Sequence, residues 1–151
     1  MRVVLTTVNH ASVTINEKVV GSINRGFLLL VGFTAGDSKE IVEKMVDKLL
    51  SLRVFPDERG QINISLNDVN GEILSVSQFT LYGDVKKGRR PSFVDALRPF
   101  EAEKLYDYFN LLIEQKHGRV STGVFGADMK VNSENDGPFT LVLDSKELFP
   151  L

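Results

Sequence analysis

The run Ser75-Val76-Ser77-Gln78-Phe79-Thr80-Leu81-Tyr82-Gly83 has the residue types and spacing to build a site. An apolar stretch, Ile73, Leu74 and Val76, leads into small polar side chains and then aromatics, the composition of a strand end. Backbone amides there could hold an oxyanion, and Phe79 or Tyr82 could offer a face to a nucleobase. The same residues would also serve as a core strand whose Ser, Gln and Thr are satisfied by neighbours, and composition alone favours that reading. A second run, Asn135-Asp136-Gly137-Pro138, strings together turn formers directly before the strand-like Phe139-Thr140-Leu141-Val142-Leu143. Gly137 has no side chain and Pro138 has no backbone donor, so this corner presents bare main chain.

Conventional catalytic groups are sparse. The chain has two histidines and no cysteine. His10 follows a strand and His117 ends a helix. Neither has a metal ligand at a recognisable spacing, and both read as surface residues. No serine sits in a Gly-x-Ser-x-Gly setting, and no glycine-rich phosphate loop is present. Glu101 and Glu103 fall on one helix and read as solvated. The sequence therefore calls for no metal and no cofactor.

Composition narrows the partners. Within 151 residues, 18 basic and 20 acidic side chains leave a net charge of −2, so any RNA contact should be local. The one basic concentration is Lys86-Lys87-Gly88-Arg89-Arg90, with Arg98 nearby, which charge alone reads as a solvated loop. The longest apolar run, Phe27–Val31, is too short to cross a bilayer. No signal peptide is visible. A single domain spanning 1–151, without a membrane partner and in the reducing cytoplasm, is the expectation.

The elements that must position these residues follow from periodicity. Val3–Val8 and Ser12–Ile15 read as strands, and Asn16-Glu17-Lys18 turns into Val19-Val20. Phe27–Phe33 suits a strand buried on both faces. Asp37 with Glu40 has the spacing of a capping box before a helix carrying Ile41, Val42, Met45, Val46, Leu49 and Leu50. Arg53–Phe55, the alternating Ile62, Ile64 and Leu66, and Glu72–Val76 are further strands. Pro99 opens a second helix with a stripe of Leu105, Tyr106, Phe109, Leu112 and Ile113, ended by Gly118. Strands return at Ser121–Gly123, Met129–Val131 and Phe139–Leu143. About eight short strands and two helices predict a mixed sheet, partly closed or two-layered, with helices on one side.

"SQFTLYG", "KGRRPSF", "FGADMKV" and "NDGPFT", in this order and at fitting separations, resemble the D-aminoacyl-tRNA deacylase family. The resemblance covers nearly the whole chain, including "ASVTI", "GFLLLVG" and "ALRPFEAEKLYDYF". It implies a three-layer α/β/β fold with a barrel-like mixed sheet, and a homodimer with sites completed across the interface. The implied partner is aminoacyl-tRNA, and the implied reaction is hydrolysis of the ester between a D-amino acid and the terminal ribose. Ser77, Gln78, Phe79 and Thr80 would line the catalytic site and take the terminal adenosine. Asn135, Gly137 and Pro138 would meet the substrate, with Gly137 and Pro138 of the partner subunit facing the amino acid. Only about 5–6% of X–Pro bonds are cis, but in the family this Gly-Pro bond is cis. That would aim carbonyl oxygens at the ammonium group and leave main chain where an L side chain would go. The vicinal ribose hydroxyl would assist attack on its own ester. Thr6-Thr7 departs from the Gln-Arg often found in the family; an Arg there would brace the Gly-Pro corner, and Arg89 or Arg90 is left to compensate.

Two other readings compete. A catalytically silent dimer that binds RNA ends would keep the fold, but the intact Ser77–Thr80 and Gly137-Pro138 argue against it. An esterase for small metabolites would need the nucleophile–base pair that is missing.

Overall fold

The computed structural model describes residues 1–150. Its elements are β1 (Arg2–Ile15), β2 (Lys18–Ile23), β3 (Gly26–Gly32), α1 (Lys39–Ser51), β4 (Arg53–Pro56), β5 (Ile62–Ser65), β6 (Glu72–Ser77), α2 (Pro99–Lys116), β7 (Val120–Thr122), β8 (Lys130–Asp144) and α3 (Ser145–Leu148). A single 3-10 turn at Phe79–Tyr82 follows β6. Six strands form one sheet in the order β2-β1-β3-β6-β7, with β8 on the other edge of β1; β4 and β5 pair separately.

Strand β1 organises the sheet. Along one edge it pairs with β3 from Arg2 to Val8 and with β2 from Ala11 to Ile15. Along the other it pairs antiparallel with β8, from Arg2↔Asp144 to Thr14↔Lys130. The β3–β6 and β6–β7 pairs are parallel, so the sheet is mixed. It curls until β7 meets β2: the Ser121 hydroxyl donates to the Ser22 carbonyl at 3.2 Å. A Cβ on Gly21 would lie 2.7 Å from the Thr122 carbonyl oxygen, so glycine permits this near-closure.

The pleat divides the core in two. Phe27, Leu29 and Val31 of β3, with Ile73 of β6, face α1 and α2, where Met45, Leu49, Tyr106 and Phe109 pack. Leu28, Leu74 and Val76 point the other way, onto Val8, Ala11, Val13 and Ile23 inside the curled sheet. Helices, sheet and the returning part of the sheet are thus three layers, and β3 is buried on both faces as its apolar run predicts.

Several local expectations are corrected. The two predicted segments Val3–Val8 and Ser12–Ile15 are one 14-residue strand. Likewise Met129–Val131 and Phe139–Leu143 merge into a 15-residue strand. In both cases the ladder to a distant strand carries the backbone through residues with little local strand preference. The helix cap is Ser38, whose Oγ accepts the Ile41 N–H at 3.3 Å. Asp37 instead accepts the Thr34 N–H at 2.8 Å and the Met1 amine at 2.7 Å. Ile62, Ile64 and Leu66 do not form one buried face: Leu66 lies beyond β5 in the core, while Ile62 is exposed. The one-turn helix α3 is too short to show periodicity in the sequence; Asp144 caps it.

Asp144 also joins the ends of β1 and β8. Its Oδ2 accepts from Arg2 Nε at 2.9 Å. Burial pushes its pKa up, but the hydrogen bonds from Arg2 and the Lys146 N–H outweigh this and hold it below the ordinary carboxylate value.

Candidate active site

The end of β6 is where the fold opens. Gln78 still donates its N–H to the Val31 carbonyl at 2.8 Å, continuing the parallel ladder. The chain then tightens into the 3-10 turn Phe79–Tyr82 rather than running on extended. The first N–H groups of such a turn, those of Phe79 and Thr80, have no acceptor within it; the ladder of the turn begins with Leu81, whose N–H donates to the Gln78 carbonyl at 3.3 Å. The turn lies close over β3 because residue 32 is glycine: a Cβ there would be 2.8 Å from the Gln78 carbonyl oxygen.

A cleft of about 610 Å³ opens beside this turn. Val31, Phe33 and Val76 form its base; Phe93, Leu97 and Arg98 bound one side, and Phe125, Asp128 and Met129 another. Among the described residues, Arg98 and Asp128 are its only charged lining groups. Phe79 is 54% exposed and meets the Phe93 ring edge-on, with centroids 5.2 Å apart. Such a flat apolar face beside an open cleft suits a stacked base. Behind the cleft, the Tyr106 hydroxyl donates to the Ser75 carbonyl at 2.8 Å, fixing α2 against β6. Burial raises the Tyr106 pKa, so the phenol keeps its proton as a structural donor.

Ser77, Gln78 and Phe79 line the cleft together. Thr80 is exposed at its edge, and its Oγ1 accepts from Gln78 Nε2 at 2.5 Å. Asn135, Gly137 and Pro138 do not line the cleft; they stand exposed on β8. Sequence reasoning misses Phe93, Phe125 and Met129 as site residues. The motifs "KGRRPSF" and "FGADMKV" contain them, but only the tertiary fold brings them to the end of β6.

The Asn135–Pro138 run is not a chain reversal. Thr6 pairs with Thr140 and Val8 with Asn135, so residues 136–139 are a bulge in a continuous strand, opposite Thr7 alone. The Gly137–Pro138 bond is cis, and Gly137 has φ +124°, a conformation that favours glycine. Thr7 is buried, and its hydroxyl donates to the Asp136 carbonyl at 2.9 Å. Thr6 shares a 3.2 Å hydrogen bond with Thr140. The corner is therefore braced by Thr7. Arg89 and Arg90 are fully out on an exposed loop and make none of the hydrogen bonds that hold it.

His10 is exposed and pairs with Glu134 at 3.3 Å. Hydrogen bonds from Asn9 and then His10 hold the Glu134 carboxyl below its usual range. His117 is half-buried rather than free on the surface, and its Nε2 contacts the Gly71 carbonyl at 2.8 Å, tying the end of α2 to the turn before β6. Among the described residues, no three His, Cys, Asp or Glu side chains gather as metal ligands. The cleft thus offers an aromatic face and small polar side chains, with neither histidine among its lining residues.

The sequence model of a family described as D-Tyr-tRNA(Tyr) deacylase matches residues 4–144. A D-aminoacyl-tRNA deacylase of Lactobacillus acidophilus is 58% identical over 144 residues, covering 95% of this chain and 99% of the relative. That of Thermosipho melanesiensis is 51% identical over 150 residues, covering 99% and 100%. The solved structure of a c-Myc DNA unwinding element binding protein superposes with a TM-score of 0.89 at 39% identity, covering 95% of this chain and 98% of that one. A probable eukaryotic D-amino acid tRNA deacylase shares the fold, with a TM-score of 0.82 at 24% identity over 94% of this chain and 97% of the other.

The Thr7 brace predicts a specific stability effect. Thr7→Val keeps the volume but leaves the Asp136 carbonyl without its donor, and is expected to cost about 1 kcal/mol. Thr7→Ser keeps the hydroxyl and loses only a methyl group. Urea unfolding should place Thr7→Val below both the parent and Thr7→Ser; a Val variant as stable as the parent would mean that the hydroxyl braces nothing.

Proposed function

The chain belongs to the D-Tyr-tRNA(Tyr) deacylase family, and from this we propose that it hydrolyses the ester joining a D-amino acid to the terminal ribose of tRNA. Water adds to the ester carbonyl, the ribose oxygen leaves and takes a proton, and the products are free D-amino acid and tRNA. The reading rests above all on the end of β6, where Phe79 offers an exposed aromatic face to a cleft whose lining holds no nucleophile–base pair. A terminal adenosine stacked on Phe79 would place its ester carbonyl toward the Phe79 and Thr80 N–H groups, which hold the developing oxyanion. Thr80, already accepting from Gln78, supports the geometry and is not a nucleophile. The vicinal ribose hydroxyl supplies the proton handling that no side chain in the cleft is arranged to perform.

Chirality is assigned to main chain. Asn135, Gly137 and Pro138 lie outside the cleft of their own chain, and the outer edge of β8 has no strand beside it over Lys130–Asp144 among the described residues. Val142 on that strand is 69% exposed. An uncovered edge of this length is normally paired or protected. A second copy of the chain covers it in our reading, and the Gly137-Pro138 corner of each copy closes the cleft of the other. Residues 1–151 act as one deacylase domain of this homodimer, in the cytoplasm where tRNA is charged. No helix among the described residues is long and apolar enough to cross a membrane.

The deciding assay compares D- and L-tyrosyl-tRNA at equal enzyme. The D ester is expected to be cleaved and the L ester spared; background rates on both would leave a silent RNA-end-binding dimer. Because a wall of main chain rejects side chains and glycine has none, glycyl-tRNA should be cleaved while L-alanyl-tRNA survives. Protection of glycyl-tRNA would contradict steric rejection.

Charged substitutions on the β8 edge, such as Val142→Asp, that yield folded monomers by analytical ultracentrifugation should lose activity. A folded and fully active monomer would refute completion of the site across subunits.

Loss of a true general acid or base costs about 10²–10⁴ in rate. Thr80→Ala should stay clear of the upper end of that range. A D-aminoacyl-tRNA ending in 2′-deoxyadenosine and esterified at the 3′ oxygen should bind yet scarcely hydrolyse, with binding measured in parallel because proteins also recognise RNA through this hydroxyl. Rapid hydrolysis of the bound deoxy substrate would return the chemistry to the protein.

A further inference from the structure

Four of the chain's 18 Lys and Arg residues fall within five positions, Lys86, Lys87, Arg89 and Arg90, although the whole chain carries a net charge of −2. All four are exposed. Among the described residues none of them takes part in an ion pair, each of which joins other side chains or the amino terminus. The nearest carboxylate in sequence, Asp84, is used locally: its Oδ1 accepts the Lys86 N–H at 2.9 Å. Unpaired like charges packed into one loop repel one another and add nothing to the stability of the fold.

The loop is nevertheless held in one place. Asp84 and Ser92 exchange both backbone hydrogen bonds, at 2.7 and 2.8 Å, and clamp its base. Gly88 turns its tip at φ +63°, with open space around the position where a side chain would begin. The residue after the clamp is Phe93, which lines the cleft and meets Phe79. Before the clamp, Gly83 lets that ring fold in: a Cβ there would be 3.1 Å from Phe93 Cε1. The four cations are therefore carried on a clamped loop whose base adjoins the aromatic wall of the cleft. Fields from exposed charges fade over about 8 Å at physiological salt, so these cations act only on a polyanion that passes along the loop itself.

We propose that the Lys86–Arg90 loop grips the phosphates of the tRNA acceptor end next to the terminal adenosine. This rests on the deacylase reading of the cleft and assigns the loop affinity for RNA rather than a part in the chemistry. A chain seated with its last base on Phe79 must lead its sugar–phosphate backbone out through the mouth, where its charge complements the loop. The grip is local, which reconciles a polyanionic substrate with an acidic protein.

The test compares the full-length parent with a Lys86→Gln, Lys87→Gln, Arg89→Gln, Arg90→Gln variant on two substrates, D-tyrosyl-tRNA and 3′-O-D-tyrosyl-adenosine, which lacks the preceding phosphates. Each phosphate that the variant no longer neutralises should reduce the slope of log KM against log salt by about 0.7–0.9. For the variant, KM on the tRNA ester is expected to rise by about tenfold or more at low salt, with the salt slope flattened by about 3. The kcat, and all kinetics on the adenosine ester, should stay at the parent values. A charge-keeping Lys86→Arg, Lys87→Arg, Arg89→Lys, Arg90→Lys variant should behave as the parent on both. Unchanged KM and salt slope on the tRNA ester would overturn the proposal. So would an equal loss on the adenosine ester, because the loop would then be shaping the cleft. Parent enzyme inactive on both esters would instead remove the deacylase reading itself.

Discussion

Both edges of β1 must find hydrogen-bond partners at once, and this requirement shapes the rest of the molecule. Buried backbone donors and acceptors cannot be left unmatched without a cost of about 1–3 kcal/mol each. One edge is shared between β3 and β2, which forces the sheet to turn where the partner changes. The other edge is matched by a single strand, β8, whose length is set by β1. The curl that brings β7 onto β2, the separation of two cores and the position of the β6 end all follow from that shared strand.

The same ladder holds the Gly137-Pro138 corner. A bulge opposite Thr7 remains in place because pairing on both sides of it, at Thr6↔Thr140 and Val8↔Asn135, holds its ends. Gly137, at its exposed tip, presents bare main chain. The β6 end works on the same terms: amide groups freed by a tight turn, with glycines at 32 and 83 admitting close neighbours. Groups fixed by the backbone need no reorganisation when charge develops, and they cannot be lost by rotation about a side-chain bond.

Sequence patterns reach some of this and stop at a physical limit. Helices α1 and α2 are legible because their apolar stripes recur locally, and β3 because seven residues from Gly26 to Gly32 carry an unbroken apolar run. Asn135–Pro138 reads as a turn because all four residues favour one; only the distant partner β1 makes the run part of a strand. Ser38 displaces Asp37 as the cap because Asp37 is drawn to Thr34 and Met1, contacts outside any helical window. Ser77–Phe79 can be picked out as a strand end. Phe93 and Phe125, walls of the same cleft, lie on loops whose placement no periodicity encodes. The departure at Thr6-Thr7 looks like a missing support, yet the buried Thr7 hydroxyl donates to the Asp136 carbonyl beside the corner.

The pairing of β1 with β8 has a consequence for how the protein is made. Arg2 and Asp144 are 142 positions apart in sequence, yet they close the same ladder. During synthesis β1 emerges first and acquires β2 and β3 within a few residues, while its native second edge does not exist until β8 has cleared the ribosome. The growing chain therefore carries an open strand edge through most of its translation, the interval in which wrong pairing and chaperone capture compete with folding. Non-local closure of this kind also slows folding relative to a locally wired helical domain of equal length. The connectivity that gives the finished protein a continuous central strand thus makes its nascent form depend on the residues translated last into the sheet.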